Sequence, residues 1–263
     1  MKIFKKKSLG QNFLIDEKII NIITEVENIT DKETILEVGP GKGALTKKIL
    51  EKKPKGIIVI EKDERLAKYL NDKFQNKIKV INEDMMRVSY EDYIGKNLII
   101  FGNLPYNIST QILVKWIKIK NLDKFCKKLI LMFQKEVADR IIANSDTKHY
   151  GRLSILSNWR MKIKKITDIE PESFSPQPKV RSTLLTFVPK KNFYQINDPK
   201  NLEHLTNIFF SQRRKMIKKP MKFLFKDYDK ISKQLSLDLN LRPQNLEFAT
   251  YYKLCEIYEY SIN

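Results

Sequence analysis

Short apolar runs alternate with helical patterns through the first two-thirds of the chain, and this alternation constrains the fold more than any other feature. The apolar runs are TILEVG, GIIVIEK, IKVIN, NLIIFG and KKLILMF. Helical patterns such as ALTKKILEKK and ERLAKYLNDKF lie between most of them. The alternation is typical of strand–helix units in a mostly parallel sheet with helices on both faces. We therefore predict an α/β fold.

Two later runs of β character complete the predicted sheet. RMKIKKIT and STLLTFVP flank the loop EPESFSPQPKVR, and we expect them to close the sheet as an antiparallel pair, which gives seven strands. Beyond about residue 189 the pattern becomes wholly helical, as in NLEHLTNIFF, KFLFKDYDKISKQL and ATYYKLCEIYEY. We predict two domains, a sheet-containing one over 1–189 and a small all-helical one over 190–263.

The charge of the chain favours a polyanionic partner. Its 50 Lys and Arg against 31 Asp and Glu give a formal net charge of +19, and nucleic acid is the leading candidate. A compositional bias that only solvates the surface is the alternative. Two cysteines without CxxC spacing and two histidines favour neither a zinc site nor histidine-based catalysis, so no metal is expected. The amino-terminal MKIFKKKSLGQNF lacks the apolar core of a signal peptide, and we expect a cytoplasmic protein.

A glycine-rich turn follows the first predicted strand. ILEVGPGKGALT places Gly39, Gly41 and Gly43 between an apolar run and a helical pattern, and glycines there let a backbone approach a ligand. The GxGxG spacing weakens a dinucleotide interpretation. With Glu37 ahead of it, the ExGxGxG pattern resembles motif I of the class I S-adenosylmethionine-dependent methyltransferases. A tight strand–helix turn without a ligand is the alternative.

Acidic residues follow the next two predicted strands. Glu61 closes the run IIVIE and could accept both hydroxyl hydrogens of a ribose, a device that NAD enzymes share. Asp84, after the third strand, could accept a hydrogen bond from an adenine amino group. Glu83 beside it is a competing assignment, and a solvated loop carboxylate is the alternative for either.

The stretch FGNLPYNIST ends the fourth predicted strand and so lies at the same sheet edge. The Asn103 side-chain oxygen and the Leu104 carbonyl could accept the two hydrogens of an adenine amino group and aim its lone pair. Pro105 fixes φ near −65° and disfavours helix at Leu104, while Tyr106 offers a ring for the base. A turn that caps a helix starting near Ser109 is the alternative.

Eight ordered motifs within the first 215 residues resemble the small-subunit (16S) rRNA adenine N6,N6-dimethyltransferase family in its bacterial form. They are KKSLGQNFLID, ILEVGPGKGALT, VIEKD, FGNLPYNIST, MFQKEVADRI, YGRLSIL, FSPQPKVRST and SQRRK. The resemblance implies a Rossmann-like class I methyltransferase core with a seven-stranded sheet and a helical C-terminal domain that binds rRNA. It also implies transfer of four methyl groups from S-adenosylmethionine to two adjacent adenosines in the 3′-terminal hairpin loop of 16S rRNA, within the pre-30S particle. We expect the protein to be a monomer.

The resemblance also implies site residues. The family's cofactor contacts fall on Asn12, Leu14, Gly39, Glu61, Asp84 and Asn103, with Gly41 in the same glycine loop. Phe174 corresponds to the family's aromatic residue that stacks the flipped base opposite Tyr106, although an anchor for a Pro-rich loop is the alternative.

The basic run from Ser211 to Lys226 contains seven Lys or Arg and no acidic residue. We expect it to grip rRNA phosphates together with Lys5, Lys6 and Lys7, and a solvated helix face is the alternative. The candidate contacts are Arg213, Arg214, Lys215, Lys218 and Lys219. Pro220 departs from the expected pattern of a continuous helix after SQRRK, which leaves the RNA-facing surface open.

Two other functions compete with this interpretation. An erythromycin-resistance type enzyme shares the core and methylates an adenine of 23S rRNA. A non-catalytic ribosome assembly or RNA-binding factor would also suit the net charge of +19. The FGNLPYNIST and PQPKVRST forms favour the 16S interpretation over the first, and the intact Asn103–Tyr106, Glu61 and Asp84 favour retained catalysis over the second.

Overall fold

The computed structural model describes residues 11–262 of the chain. Its strands are β1 (Phe13–Leu14), β2 (Thr34–Val38), β3 (Gly56–Ile60), β4 (Lys79–Ile81), β5 (Leu98–Gly102), β6 (Cys126–Gln134), β7 (Met161–Ile169), β8 (Phe174–Ser175) and β9 (Ser182–Pro189). Its α-helices are α1 (Glu17–Glu25), α2 (Ala44–Glu51), α3 (Glu64–Phe74), α4 (Ser109–Ile117), α5 (Leu122–Phe125), α6 (Lys135–Ile142), α7 (Arg152–Arg160), α8 (Pro199–Phe210), α9 (Lys218–Leu224), α10 (Tyr228–Gln234) and α11 (Phe248–Ile262).

Seven strands form one sheet in the order β4-β3-β2-β5-β6-β9-β7. The pairs β3–β4, β2–β3, β2–β5 and β5–β6 are parallel, while β9 runs antiparallel to β6. This confirms the predicted mostly parallel, seven-stranded α/β sheet. The strand order reverses between β2 and β5, and in such sheets ligands bind beyond the carboxyl ends of the strands at that point.

The sequence pattern explains why these strands are central. All five residues of β5 are buried, and β2 is buried from Ile35 onward. A strand that is covered on both faces needs apolar residues at successive positions, as in β5 with its sequence LIIFG. Helix α3 buries one face, formed by Leu66, Leu70 and Phe74 at helical spacing, and Asp63 caps its start by accepting a hydrogen bond from the Arg65 N–H.

A second, two-stranded sheet pairs residues far apart in the sequence. In it β1 runs antiparallel to β8, with Phe13 opposite Ser175 and Leu14 opposite Phe174. Asp16 adds a side-chain contact beside this pairing, because its carboxylate accepts a hydrogen bond of 2.9 Å from the Ser173 hydroxyl. The sequence did not predict this sheet, since two-residue strands carry no periodicity.

The chain divides into two compact units. Among the described residues, one unit comprises those up to 138 and 162–189, and the other comprises 139–161 and those from 190 onward. The division expected from the sequence, 1–189 and 190–263, differs from this by residues 139–161. Those residues include α7, which packs on α8 and α11 and which sequence reasoning did not identify as a helix.

Two expectations for the C-terminal helices are wrong in detail. The segment KFLFKDYDKISKQL is not one helix, because α9 ends at Leu224, Phe225 is extended, and α10 begins at Tyr228. Pro220 does not interrupt a helix either. It is the third residue of α9, in the first turn, where a backbone N–H has no partner within the helix and its absence costs little.

Among residues 11–262, none of the helices has the length and apolar character that a transmembrane span requires.

Candidate active site

A cavity lies in the first unit at the carboxyl ends of the parallel strands. It is bordered by the turns that follow β2, β3 and β5, by the loop after β4, and by the segment that leads into β1. The structure brings together ten of the residues predicted from the sequence, and all of them line this cavity: Asn12, Leu14, Gly39, Gly41, Glu61, Asp84, Asn103, Leu104, Pro105 and Tyr106. The sheet topology is the cause, because parallel strands end at one edge.

The glycine loop approaches two neighbouring segments closely. Gly39 has φ +71°, and a Cβ placed on it would lie 3.0 Å from the backbone oxygen of Asn103. The Gly41 N–H donates a hydrogen bond of 3.3 Å to Oε2 of Glu61. Positive φ and the missing side chain therefore let this loop pack against the end of β5 while its backbone faces the cavity.

Glu61 is held rigidly at the end of β3. It is 7% exposed, and its Oε1 accepts a hydrogen bond of 2.9 Å from the Asp63 N–H. Burial raises its pKa, an effect that the N–H donors of Asp63 and Gly41 oppose. A carboxylate oxygen has more than one acceptor direction, so Glu61 can still accept hydroxyl hydrogens from a ligand in the cavity.

Asp84 is an ionised carboxylate at the next strand end. Its Oδ2 lies 2.7 Å from Nζ of Lys62, and its Oδ1 accepts a hydrogen bond of 2.9 Å from the Met86 N–H. These two donors, Lys62 first, lower the pKa of Asp84. The competing residue Glu83 also lines the cavity but is exposed, and its carboxylate accepts a hydrogen bond from the Asp84 N–H.

Asn103 and Tyr106 are each fixed by one hydrogen bond. The Asn103 side-chain Nδ2 donates a hydrogen bond of 2.9 Å to the backbone oxygen of Asn12. This bond orients the amide and leaves Oδ1 as its acceptor. The Tyr106 hydroxyl bonds to Oγ of Ser182, a fully buried residue at the start of β9. The structure thereby orients both residues before any substrate binds.

Phe174 does not lie in the cavity. It is 1% exposed, belongs to the hydrophobic core together with Leu14 and Phe101, and does not line the cavity. Its backbone pairs with Leu14 in the two-stranded sheet. A ring without an accessible face cannot stack on a base, so the stacking role expected for Phe174 is not seen in this structure. The burial of Phe174 agrees with the alternative, in which this residue anchors the Pro-rich loop.

The sequence did not predict three residues that line the cavity or hold its lining side chains. Gln11 donates a hydrogen bond of 3.1 Å to Asp63, Ser182 holds Tyr106, and Glu37 lines the cavity. The signal for Glu37 was present in the ExGxGxG pattern. Gln11 and Ser182 lie in the motifs GQNFL and KVRST, whose spacing says nothing about which side chain makes the contact.

Glu37 is a buried acid whose protonation should affect stability. It is 2% exposed and accepts a hydrogen bond of 2.6 Å from the Thr46 hydroxyl. Burial raises its pKa to about 7, the Thr46 hydrogen bond opposes this rise, and the charge of Glu61 adds to it. A carboxyl group with a raised pKa stabilises the fold while protonated, and this contribution is lost as pH rises from about 4.5 through 7.

We therefore expect the unfolding free energy to fall less between pH 5 and pH 8 in the Glu37→Gln variant than in the wild type. The two declines should differ by about 3 kcal/mol at most, because each pKa unit corresponds to about 1.4 kcal/mol. Denaturant unfolding at both pH values measures it, and Glu25→Gln, on an exposed helix position, is the control. An equal decline in wild type and Glu37→Gln would contradict the assignment.

Tyr106 is predicted to support a nucleic-acid base, so the Tyr106–Ser182 bond should matter for binding of that substrate. Replacing Ser182 by Ala leaves the half-buried Tyr106 hydroxyl without its partner, so we expect the KM for the nucleic-acid substrate to rise about two- to tenfold. Tyr106→Phe should have a similar effect, and the double variant should be no worse than either single one. Steady-state kinetics of the three variants check this, and additive effects would contradict a shared hydrogen bond.

The basic residues predicted to bind RNA differ in their surroundings. Arg213 is part-buried and donates hydrogen bonds to the backbone oxygens of Thr147 and Lys148, at 3.3 and 2.6 Å, and to the Gln244 side chain at 3.2 Å. Arg213 thus joins three segments of the second unit. The exposed members of the set are Arg214, Lys215, Lys218 and Lys219. Lys5, Lys6 and Lys7 lie outside the described residues.

The parallel sheet, the glycine loop with its two strand-end acids, and the Asn-Leu-Pro-Tyr turn define a class I S-adenosylmethionine-dependent methyltransferase. The sequence model of the family described as ribosomal RNA adenine dimethylase matches residues 3–260 of the chain. The chain therefore belongs to this family.

Individual relatives agree with the family. The ribosomal RNA small subunit methyltransferase A of Pelagibacter ubique (strain HTCC1062) is 55% identical over 254 residues, covering 97% of each chain. The protein of the same name from Ehrlichia canis (strain Jake) is 40% identical over 259 residues, covering 96% of this chain and 97% of that one.

Solved structures support the fold. A dimethyladenosine transferase from Plasmodium falciparum has a TM-score of 0.79 at 25% identity, covering 94% of this chain and 98% of that chain. The 23S rRNA methyltransferase ErmE has a TM-score of 0.70 at 21% identity, covering 94% and 100%, and shares the fold. The predicted family, enzymatic activity and cofactor are thus confirmed. The protein is an rRNA adenine methyltransferase that uses S-adenosyl-L-methionine.

Proposed function

We propose that the enzyme dimethylates N6 of two adjacent adenosines in the 3′-terminal hairpin loop of 16S rRNA, and that it acts in the cytoplasm as a monomer on the pre-30S particle during small-subunit biogenesis. The name of the Pelagibacter relative, a small subunit methyltransferase, supports this substrate over 23S rRNA. The main observation in support of methyl transfer to N6 is the hydrogen bond from Asn103 Nδ2 to the Asn12 carbonyl, because this bond leaves the Asn103 oxygen as an acceptor.

The residues that line the cavity fit the cofactor. The glycine loop gives backbone access where a Cβ would contact Asn103 or Phe13, Glu61 offers acceptors for ribose hydroxyls, and the Asp84 carboxylate offers one for an adenine amino group. Asn12 and Leu14 border the same cavity. When bound, S-adenosylmethionine supplies an electrophilic methyl group on its sulfonium sulfur.

The chain's own contribution to catalysis is orientation. The lone pair of an adenine N6 is delocalised into the ring, so it is a weak nucleophile until its geometry changes. Oδ1 of Asn103 and the carbonyl oxygen of Leu104 accept the two amino hydrogens and aim the lone pair, while the ring of Tyr106 supports the base. The proton that N6 loses after attack passes to solvent, so no strong base is required.

The target must be an accessible base. An adenine reaches such a cavity only when it is extruded from its stack, which costs a few kcal/mol and least where pairing is already absent. An unpaired hairpin loop meets this requirement, and unpaired sites are where proteins usually read RNA sequence.

The helical region over 190–263 is proposed to bind rRNA. Its support is the acid-free run from Ser211 to Lys226, in which Arg214, Lys215, Lys218 and Lys219 are exposed. Arg213 is left out of the phosphate contacts because it is engaged within the unit.

Neutralising two of these cations should weaken binding in a salt-dependent way. We expect the double variant Arg214→Ala, Lys215→Ala to lower the slope of log affinity against log salt by about 1.4 to 1.8, since each phosphate contact contributes about 0.7 to 0.9. Binding to undermethylated 30S particles at several salt concentrations measures it. An unchanged slope would contradict the assignment, and Lys55→Ala, an exposed lysine of the first unit, is the control.

Substrate choice is tested by supplying the two candidate RNAs separately. The enzyme is incubated with S-adenosylmethionine and either undermethylated 30S particles or protein-free 23S rRNA. Methyl incorporation into the 30S particle supports the proposal, and incorporation only into 23S rRNA would reverse it.

A further inference from the structure

The second unit exposes an aromatic ring in the middle of its basic run. Phe223, in α9, is 74% exposed, although burial of an aromatic side chain is favourable. A single exposed apolar side chain is common on protein surfaces. The residues around Phe223 indicate which kind of partner this ring fits.

Helix geometry keeps the ring at the surface. Met221 is buried and fixes which side of α9 faces the interior. At 100° per residue Phe223 lies about 200° from Met221, on the opposite face. Lys219, four residues earlier, lies on the same face as Phe223. The ring therefore cannot turn inward without rotating the whole helix.

Lysines flank Phe223 along the sequence. Lys215, Lys218, Lys219, Lys222 and Lys226 are all exposed, and no acidic residue occurs between Ser211 and Lys226. The first acid after the run is Asp227. An apolar ring among cations fits a partner that is both polyanionic and flat. Unpaired nucleotides have this chemistry, because a base stacks on an aromatic face while neighbouring phosphates take the cations. A protein partner would need acidic residues together with a larger apolar area.

We propose that Phe223 is a stacking platform for an unpaired rRNA base other than the target adenosines, with Lys219 and Lys222 on the adjacent phosphates. The proposal rests on rRNA being the substrate and deepens it, since it assigns the second unit a contact with a base as well as with phosphates. The target adenine itself enters the cavity of the first unit and does not compete for this ring.

Four variants test the proposal through affinity for undermethylated 30S particles. Phe223→Ala and Phe223→Leu should each weaken binding about fivefold or more, because stacking contributes about 1 kcal/mol or more per base. Phe223→Trp should bind at least as well as wild type. The slope against salt should stay unchanged in all three, since no cation is removed. Tyr260→Ala removes another aromatic side chain of similar exposure, 78%, and should leave binding unchanged.

The outcomes separate the possibilities. Wild-type affinity for Phe223→Ala overturns the proposal, and so does wild-type affinity for Phe223→Leu, which would indicate a general apolar contact such as one with a ribosomal protein. An equal loss in Tyr260→Ala also overturns it. Methylation of the same particles by the wild type is measured in parallel. Its absence would defeat the proposed function, whereas normal methylation with unchanged Phe223→Ala binding defeats only the stacking platform.

Discussion

Replacing Asn103 by Ala should lower the rate of rRNA methylation at least a hundred- to a thousandfold and leave binding to the 30S particle intact. Asn103 lines the cavity, and the 2.9 Å bond from its Nδ2 to the Asn12 carbonyl leaves its side-chain oxygen as an acceptor. Removing one preorganised hydrogen-bonding group at a reacting centre typically has an effect of this size. Single-turnover methylation and particle binding, measured on the same preparation, separate chemistry from recognition.

Asn76→Ala is a suitable control, because it makes the same chemical change at an exposed position of the same unit. It should match the wild type in both measurements. Full methylation by Asn103→Ala would refute the hydrogen-bond mechanism. Parallel loss of methylation and particle binding would show instead that Asn103 serves recognition.

Gly39→Ala should impair catalysis about a hundredfold although it adds one methyl group. Its Cβ would lie 3.0 Å from the backbone oxygen of Asn103, and a backbone atom cannot swing aside as a side chain can. The residue also has φ +71°, a conformation that costs alanine about 1–2 kcal/mol. The end of β5 must shift, and small misplacements of a reacting group can reduce rates about a hundredfold. We expect a lower kcat together with a higher KM for S-adenosylmethionine.

Two other glycines provide matched controls. Gly95 has φ +88° but no atom within 4 Å of a Cβ built on it, so Gly95→Ala carries the strain without the close contact. Gly56→Ala has neither. Gly95→Ala should reduce stability and leave kinetics unchanged, and Gly56→Ala should change little. If Gly39→Ala matches Gly95→Ala in kinetics, the contact with Asn103 has no role in catalysis.

Local sequence patterns were sufficient for the sheet and for the assembly of the cavity. The run STLLTFVP coincides with β9, and ERLAKYLNDKF coincides with α3. Because parallel strands share one edge, locating Gly39, Glu61, Asp84 and Asn103 at strand ends was enough to place them together. This inference needs only periodicity and topology, which short-range patterns carry.

The contacts that hold the site together could not be predicted in this way. Asn12 and Asn103 are separated by 91 residues, and Tyr106 and Ser182 by 76, and nothing in the local sequence specifies their pairing. The burial of Phe174 could not be predicted either, because its motif does not reveal that β8 turns its ring into the core. Arg213 resembles its neighbour in sequence but differs in its partners, which only the folded unit reveals.

The central claim is that the cavity transfers methyl groups to N6 of two adjacent adenosines, with Asn103 and Leu104 orienting the amino group. Mass spectrometry of the 3′-terminal fragment of 16S rRNA, after reaction of undermethylated 30S particles with S-adenosylmethionine, tests it most directly. Our account predicts two adjacent N6,N6-dimethyladenosines with the wild-type enzyme and neither with Asn103→Ala. An unmodified fragment with the wild type, or a fully dimethylated one with the variant, would contradict it.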